Sequence, residues 1–348
     1  MLVSVSDAGS GPAIGNLSPT LRGWKQIIEP VSPFLDQVAL SLNAQVEAFE
    51  PEIASYARYA LTNQGKQLRP VLVGLSGAAF SKPSESLVKV AVIIEMVHLA
   101  TLVHDDIMDE AEVRRSRPTL ARNWGNEISV LLGDCLFAHA VALAASFPTP
   151  EICRAVAIAT NRVCTGEILQ TNQRRRFDLS FPDYFKAVEM KTGELFALAC
   201  DLGALLGGAN PVQRQTLREF GLLLGTAYQV YDDCLDVFGS EALVGKSLGT
   251  DLASGKLTLP LLFVLESASA AERTLITELL QDWDSNYFPQ IFELLERYEA
   301  LNRSRIVIFK TIHQAQELLG QLPQNSGVAP LNALGGFLLQ QTEALGVS

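Results

Sequence analysis

The stretch VAVIIEMVHLATLVHDDIMD, residues 90–109, decides the fold class, because it is apolar on nearly every side of a helix until its acidic end. A helix of that kind is buried on all sides instead of lying half exposed. The stretch FGLLLGTAYQVYDDCLD, residues 220–236, repeats this pattern more than a hundred residues later. Strand-like alternation is almost absent elsewhere, so the two stretches predict an all-α fold.

Both stretches end in an aspartate-rich pentapeptide, Asp105 to Asp109 in the first and Asp232 to Asp236 in the second. Carboxylates at i and i+4 lie on one helix face about 5–6 Å apart. A solvated acidic helix end has the same composition, but the apolar flanks argue against that interpretation. Buried carboxylates need a compensating cation, and Mg²⁺ takes oxygen ligands from carboxylates and substrate phosphates. The pair therefore predicts a magnesium–diphosphate site between two helices.

Composition limits the kind of partner and compartment. The chain has 348 residues, 48% of them hydrophobic, and a formal charge of −11. An acidic protein lacks the basic surface that nucleic acids and anionic membranes require, so neither is expected as a partner. Its five cysteines stand in apolar helical contexts without a CxxC pair. This usage favours buried free thiols over disulfides or zinc ligands and suits the cytoplasm.

The chain divides into a leader and one domain. Residues 1–25 are rich in Ser, Gly and Pro and predict a flexible leader, whereas residues 26–348 predict a single all-α domain. No apolar stretch long enough to cross a membrane lacks charges, so no transmembrane segment is expected. Pro83-Ser84 and Asn210-Pro211 predict the starts of the two helices that carry the motifs. Further breaks predict roughly ten or more helices in a bundle with a central cavity.

Cationic side chains recur around the acidic motifs of this acidic chain. They are Lys66, Arg69, Arg114, Arg115, Lys191, Lys246 and Lys256. Guanidinium binds phosphate oxygens as a planar fork, which Lys cannot imitate. Any one of these cations is more often a surface charge, so the argument depends on their convergence on one site.

Taken together, these motifs resemble those of the trans-type isoprenyl diphosphate synthases, the polyprenyl synthetases related to geranylgeranyl and longer-chain diphosphate synthases. The resemblance extends from about Phe34 to the C-terminal helices. The matching motifs are Gly65-Lys66-Gln67-Leu68-Arg69-Pro70, His98, Asp105 to Asp109, Arg114-Arg115, Gly166-Glu167 with Gln170, Lys191-Thr192, Gln229, Asp232 to Asp236, Gly245-Lys246 and Gly255-Lys256. It implies an isoprenoid synthase-type helical bundle.

The resemblance also implies an activity: Mg²⁺-dependent head-to-tail condensation of isopentenyl diphosphate with an allylic diphosphate to give an all-trans polyprenyl diphosphate. The residues implied to hold isopentenyl diphosphate are Lys66, Arg69, His98 and Arg115. Those implied to hold the allylic diphosphate are Arg114, Lys191, Lys246 and Lys256. About three Mg²⁺ ions are implied, with Asp105, Asp109, Asp232 and Asp236 as ligands or partial ligands and Asp106 and Asp233 behind them.

Among these residues, some are implied to act on the reacting carbon or its leaving group. They are Asp105, Asp109, Lys191, Thr192, Gln229 and Asp232. Thr192 and Gln229 are expected near the developing allylic cation, which their oxygen dipoles stabilise. The resemblance assigns no role to His104, and it implies a homodimer because family members commonly form one. Tyr228, Tyr231, Phe196 and Phe238 are interpreted as packing residues.

Two other functions remain open at this stage. A class I terpene cyclase shares the helical architecture and the ionising metal cluster, but cyclases replace the second aspartate motif and lack the Lys66, Arg69 and His98 set. A non-catalytic subunit of a heteromeric prenyl synthase is the second alternative, and such a subunit is expected to have damaged aspartate motifs. Both motifs are intact in this chain.

The length of the product is predicted from the helix that carries the first motif. Ala100 and Thr101 precede Asp105 by about one turn, or 6–8 Å, and both are small. In short-chain members of the family bulky aromatic residues near these positions stop elongation, so their absence predicts a product of C20 or longer. Met96 is a candidate floor of the cavity, and a facing helix such as the one that contains Phe137 is the alternative.

We predict that Ala100→Phe shortens the product, because the added ring occupies the space into which the growing tail extends. The measurement is chromatography of the dephosphorylated products of the variant and the unmodified enzyme. An unchanged product distribution would remove Ala100 from the cavity wall.

Overall fold

Helices make up nearly all of the regular structure in the residues that the computed structural model describes, which are 19–62, 65–115, 117–240, 248–323 and 327–346. The α-helices are α1 Pro19–Ile28, α2 Ser32–Ala44, α3 Pro51–Thr62, α4 Leu68–Ala78, α5 Glu85–Met108, α6 Leu120–Trp124, α7 Asn126–Ala145, α8 Pro150–Asn172, α9 Phe181–Val188, α10 Glu194–Gly207, α11 Pro211–Phe238, α12 Thr250–Ala253, α13 Leu259–Ser267, α14 Ala270–Gln281, α15 Phe288–Arg297, α16 Ala300–Leu319 and α17 Val328–Glu343. Short 3-10 turns lie at Glu29–Val31, Gln45–Ala48 and Ser285–Tyr287, and a π-helical segment lies at Glu189–Gly193. Over the same residues the sheet consists of one antiparallel hairpin, β1 Val113–Arg114 and β2 Arg117–Pro118. The predicted all-α bundle is confirmed.

The two motif-bearing helices form the centre of the bundle, and both begin where the sequence predicts. Ser84 caps α5, because its Oγ accepts a hydrogen bond from the Leu87 backbone N–H at 3.3 Å. Asn210 and Gln213 cap α11 through reciprocal side-chain to backbone hydrogen bonds of 3.0 and 2.9 Å. Such caps satisfy backbone donors that the first helical turn leaves unpaired. They fix where each helix starts and hence where its acidic end lies.

Glycines allow α10 to pack closely against both α4 and α11. A Cβ added at Gly203 would lie 2.6 Å from the Val73 carbonyl oxygen of α4. One added at Gly221 of α11 would lie 2.5 Å from the Phe196 carbonyl oxygen of α10. Real Cβ atoms do not approach backbone oxygens so closely. These helices are therefore in backbone contact, which leaves no room for a side chain between them.

The helical part of the chain begins before residue 26, where the sequence analysis placed its start. Helix α1 begins at Pro19, and its Trp24 is 5% exposed and packs against Phe337 of α17 with ring centroids 5.7 Å apart. Residues 1–18 of the predicted leader lie outside the described residues.

The cysteines are all free, as predicted. Their predicted burial holds only for Cys200 and Cys234, whereas Cys164 is exposed and Cys135 and Cys153 are half-buried. The apolar contexts of these three residues were misleading, because they lie on α7 and α8, whose outer faces are apolar without being covered.

Two helices, α5 and α7, are long and apolar enough to cross a membrane by length and composition alone. The core helix of a soluble protein passes the same test. Of the most apolar stretch, 72% is buried in α5 but only 33% in α7. Helix α7 thus keeps an exposed apolar face.

We predict that Gly221→Ala lowers the free energy of unfolding by about 1–3 kcal/mol, because overpacking forces α10 and α11 apart. Gly336→Ala is the matched control, since Gly336 also lies inside a helix but nothing lies within 4 Å of an added Cβ. There, the higher helix propensity of Ala stabilises the protein by up to about 1 kcal/mol. Urea unfolding of both variants measures the difference, and equal stability of the two variants would contradict the close contact.

Candidate active site

The first aspartate motif lies at the C-terminal end of α5. Asp106 is buried, and the Arg114 Nε of the hairpin donates to its Oδ1 at 2.5 Å. Burial raises the pKa of Asp106, although Arg114 opposes the rise. Asp105 is half-buried and makes no side-chain hydrogen bond to another described residue. Its carboxylate is therefore available to a ligand.

Asp109, which caps α5, is held by two cations. Lys256 Nζ donates to its Oδ2 at 3.0 Å, and Arg174 Nη2 donates to its Oδ1 at 2.9 Å. Although burial works in the opposite direction, Lys256 and the neighbouring cations hold the pKa of Asp109 below its usual value. Both carboxylate oxygens thus face positive charge.

Lys256 connects the two aspartate motifs. Its Nζ also lies 3.5 Å from Asp251 Oδ1. The Asp251 backbone N–H in turn donates to Asp236 Oδ2 at 2.9 Å. The predicted convergence of the two acidic helix ends, more than a hundred residues apart in the chain, is therefore present in the fold.

Asp236, predicted as a ligand or partial ligand, has both carboxylate oxygens engaged within the protein. It is 2% exposed, and besides the Asp251 N–H it accepts a hydrogen bond from Thr250 Oγ1 at 2.6 Å on its other oxygen. Both oxygens are thus engaged in fixing the turn that carries Lys256. Asp232, which precedes it by one turn of α11, is exposed. The i,i+4 spacing is present, but the two carboxylates face different surroundings.

The π-helical segment at 189–193 forms a second connection between the motifs. Lys191 Nζ donates to Glu167 and Gln170 of α8 at 2.8 and 3.1 Å. Although burial opposes it, the carboxylates of Asp105 and Glu167 raise the pKa of Lys191 above its usual value. The adjacent residue, Thr192, donates through Oγ1 to Gln229 Oε1 at 2.7 Å. Lys191 therefore interacts with the first motif through Asp105, whereas Thr192 is hydrogen-bonded to Gln229 beside the second motif.

Gln229 is oriented by a buried hydrogen-bond chain. Its amide donates to Asp233 Oδ1 at 2.8 Å, and the Tyr184 hydroxyl of α9 donates to Asp233 Oδ2 at 2.5 Å. Burial, together with the negative charge of Asp251, raises the pKa of Asp233 to about 8. The two donated hydrogen bonds oppose that rise. Asp233 thus fixes Gln229 and does not face the solvent.

A second, cationic cluster lies beside the acidic one. A Cβ added at Gly65 would meet the Arg115 guanidinium carbon at 2.6 Å, so the 65–67 loop lies directly against Arg115. The Arg69 guanidinium stacks on the Phe196 ring at 5.1 Å. Burial and the charges of Arg69 and Arg115 lower the pKa of His98 well below its usual value. The fold therefore gathers Arg69, His98 and Arg115 as the sequence predicts.

Glu95 is a buried carboxylate in this cationic cluster that the sequence analysis did not single out. It is 2% exposed, and burial raises its pKa while Arg69 and Arg115 lower it. Glu95 Oε2 and Arg69 Nε are both buried without a hydrogen-bond partner among the described residues. The position of Glu95, three residues before His98 on an apolar helix, could have indicated that it balances the charge of this cluster.

Lys66 lies at the edge of the cationic cluster, between the first and last helices of the described chain. Its Nζ lies 5.3 Å from the Trp24 ring and 4.9 Å from the Phe337 ring. Burial lowers the pKa of Lys66 to about 8. An adjoining cavity is lined by Lys66, Phe196 and Tyr228 among other residues.

His104 packs against α7. Its Nε2 lies 3.1 Å from the Val130 carbonyl oxygen, and its ring lies 5.8 Å from that of Phe137. A Cβ added at Gly133 would lie 2.1 Å from the His104 ring, so that glycine makes room for it. His104 therefore joins the motif helix to α7. Of the residues interpreted as packing, Phe196, Tyr231 and Phe238 are buried as predicted.

Some site residues were missed and one predicted residue cannot be located. Arg174, Glu95 and Tyr184 were not predicted, because their roles depend on contacts between distant segments. Lys246 lies outside the described residues. Over the described ranges, no group of three or more His, Cys, Asp and Glu side chains meets in a ready metal site. Lysines lie between the carboxylates instead.

Comparison with known proteins agrees with this architecture. The polyprenyl synthetase family model matches residues 50–295. The chain is 36% identical over 281 residues to the nonaprenyl diphosphate synthase of Mycobacterium tuberculosis, covering 80% of this chain and 83% of the relative. It is 32% identical over 289 residues to the short chain isoprenyl diphosphate synthase of Methanothermobacter thermautotrophicus, covering 82% and 89%.

Solved structures give the same result. The polyprenyl synthase from Caulobacter crescentus CB15, complexed with calcium and isoprenyl diphosphate, superposes with a TM-score of 0.86 at 28% identity, covering 91% of this chain and 97% of that one. Residues 50–295, which the family model matches, contain both aspartate motifs and the cationic cluster described above. This chain therefore belongs to the polyprenyl synthetase family.

Proposed function

We propose that this protein is a prenyltransferase that condenses isopentenyl diphosphate head to tail with an allylic diphosphate to give an all-trans polyprenyl diphosphate of C20 or longer. The observation that supports this most directly is Lys256, whose Nζ lies 3.0 Å from Asp109 and 3.5 Å from Asp251. That contact brings two acidic helix ends to one site. A separate cationic cluster beside them gives each of two diphosphates its own place.

The allylic diphosphate binds at the acidic end of the site through divalent metal ions. The Asp105 side chain makes no hydrogen bond to a described residue and Asp109 faces cations, so both suit Mg²⁺, which prefers carboxylate and phosphate oxygens. Asp232 completes the ligand set from α11. Asp236 is left out of that set because it is buried and accepts hydrogen bonds from Thr250 and Asp251, whereas Asp109 is exposed. The calcium in the related Caulobacter structure supports a divalent ion in this family.

The reaction begins when the allylic C–O bond breaks and its electron pair leaves with the diphosphate. Mg²⁺ held by Asp105, Asp109 and Asp232 would neutralise charge on that leaving group. Lys191, Lys256 and Arg114 donate to the diphosphate oxygens, while Thr192 and Gln229 direct oxygen dipoles towards the allylic cation. The double bond of isopentenyl diphosphate then supplies the electron pair of the new C–C bond, and a proton is lost to the departing diphosphate. Preorganisation of both substrates lowers the barrier.

Isopentenyl diphosphate binds at the cationic cluster without metal. Arg69, His98 and Arg115 are the polar groups that the fold gathers there, and Lys66 lies at its edge. A terpene cyclase binds one diphosphate and has no use for this second cluster, so condensation is favoured over cyclisation. Intact motifs in contact through Lys256 likewise favour a catalytic over a non-catalytic chain.

The product length is supported by the residues one and two turns before Asp105. Ala100 is fully buried and small, and Met96 one turn further is also fully buried. Neither position carries an aromatic ring that would stop elongation at an early stage. The relatives include both a short chain and a nonaprenyl synthase, so the final length needs measurement.

The function is tested by supplying labelled isopentenyl diphosphate with dimethylallyl, geranyl, farnesyl or geranylgeranyl diphosphate. We expect Mg²⁺-dependent consumption of label, loss of activity with EDTA, and dephosphorylated products of C20 or longer. A clean stop at C15 would contradict the length, and an inactive protein with both substrates and metal would contradict the function.

A homodimer is proposed from the exposed apolar face of α7 and α8. Leu131 is 60% exposed, Ile158 54% and Ile168 60%.

We predict that Leu131→Asp converts a dimer into monomers, because burying an unpaired carboxylate in an apolar interface is costly. Light scattering coupled to size-exclusion chromatography measures the mass. Val212→Asp is the control, since Val212 is also exposed (75%) but lies on a different helix, α11. A monomeric unmodified protein would remove the proposed dimer.

Binding of isopentenyl diphosphate should depend on pH through Lys66. Because its pKa is about 8, Lys66 is charged at pH 7 and loses its proton as the pH rises. We predict that kcat/KM for isopentenyl diphosphate falls about tenfold between pH 7 and 9, since this ratio reports ionisations of the free enzyme. Arg stays protonated over that range, so Lys66→Arg should flatten the profile. An identical decline in both enzymes would assign it to another group.

A further inference from the structure

Three consecutive arginines, Arg174, Arg175 and Arg176, follow α8 and have so far no role in the reaction. Arg174 Nη2 donates to Asp109 Oδ1 at 2.9 Å, opposite the Lys256 contact with the other oxygen. Its side chain is 26% exposed, and its Nε is buried without a hydrogen-bond partner among the described residues. The Nε of Arg174 is therefore a buried donor that no described residue uses.

The position of Arg174 is fixed by the same turn that carries Lys256. The Arg175 backbone N–H donates to the Gly255 carbonyl at 2.8 Å. A Cβ added at Gly255, where φ is +72°, would lie 2.7 Å from Arg175 Cγ. The end of α8 and the 249–256 segment are thus in direct backbone contact. Arg174 and Lys256 are two halves of one cationic clamp around Asp109.

Arg174 and Lys256 share the carboxylate of Asp109. If Asp109 turned an oxygen towards a metal ion, the guanidinium of Arg174 would lose part of its partner. A guanidinium donates hydrogen bonds to phosphate oxygens through Nε and Nη. The Nε of Arg174, unpaired among the described residues, is therefore a donor of the kind that binds a phosphate oxygen.

We propose that Arg174 is a further binding residue for the allylic diphosphate. Arg174 contacts the diphosphate from the α8 side, and Lys256 contacts it from the opposite side. This inference rests on the proposed function. Arg174 and Lys256 both bind Asp109 before the substrate arrives, and both bind the diphosphate afterwards. Arg176 takes no part, because it pairs at 3.2 Å with Asp178, which is 76% exposed.

The test compares Arg174→Gln, Arg174→Lys and the control Arg176→Gln in the full chain with Mg²⁺. Calorimetric titration with inorganic diphosphate measures binding without turnover, and steady-state assays give KM for the allylic substrate and for isopentenyl diphosphate separately. We expect Arg174→Gln to weaken diphosphate binding and raise the allylic KM by about tenfold each, the effect of one charge-assisted hydrogen bond. The KM for isopentenyl diphosphate should stay within about twofold.

Arg174→Lys keeps the charge without the fork, so it should recover part of the affinity, and Arg176→Gln should match the unmodified enzyme in every constant. Unchanged diphosphate affinity in Arg174→Gln would overturn the inference. A lower Mg²⁺ requirement with unchanged diphosphate affinity would overturn it too, because Arg174 would then be only a partner of Asp109. Failure of the unmodified enzyme to turn over would contradict the proposed function, whereas the titration still decides the role of Arg174.

Discussion

The site depends on cations that lie between two groups of carboxylates. Two like charges about 4 Å apart near a protein surface repel by about 4 kcal/mol, so the two acidic helix ends could not approach each other unaided. Lys256 contacts Asp109 from one group and Asp251 from the other. Lys191 faces Asp105 and Glu167 in the same way. The lysines and the carboxylates thus place opposite charges close together, as the binding of metal ions and a diphosphate would require.

This electrostatic requirement explains the irregular backbone around the site. Consecutive residues of the π-helical segment, Lys191 and Thr192, contact α8 and α11 respectively. π-helical turns inside helices are frequent at functional sites. The turn before Lys256 needs the left-handed conformation of Gly255, whose φ is +72°. Rigid packing of α4, α10 and α11 through glycine contacts holds these irregular segments in place.

The sequence predicted the elements whose signals are local. The starts of α5 and α11, the burial of both helices and the meeting of their acidic ends follow from helical periodicity, capping residues and the cost of burying carboxylates. The roles of Asp236, Glu95 and Arg174 could not be predicted, because each is set by a partner from a distant segment: Asp251, Arg69 and Asp109. The exposure of Cys164 was missed for a related reason, since an apolar helix face gives no indication of whether a second surface covers it.

Under the proposed function, the two halves of the site would distinguish two diphosphates by charge. The acidic half would accept a diphosphate only together with divalent ions, whereas the cationic half would attract a bare diphosphate directly. Glu95 is the buried carboxylate near Arg69 and Arg115, and it offsets part of their mutual repulsion. His98 beside them is kept neutral and so can act as a hydrogen-bond donor without adding charge. Under the proposed function, the cationic half would hold a metal-free diphosphate, and the substrate that ionises would bind in the acidic half, where metal would stabilise its leaving group.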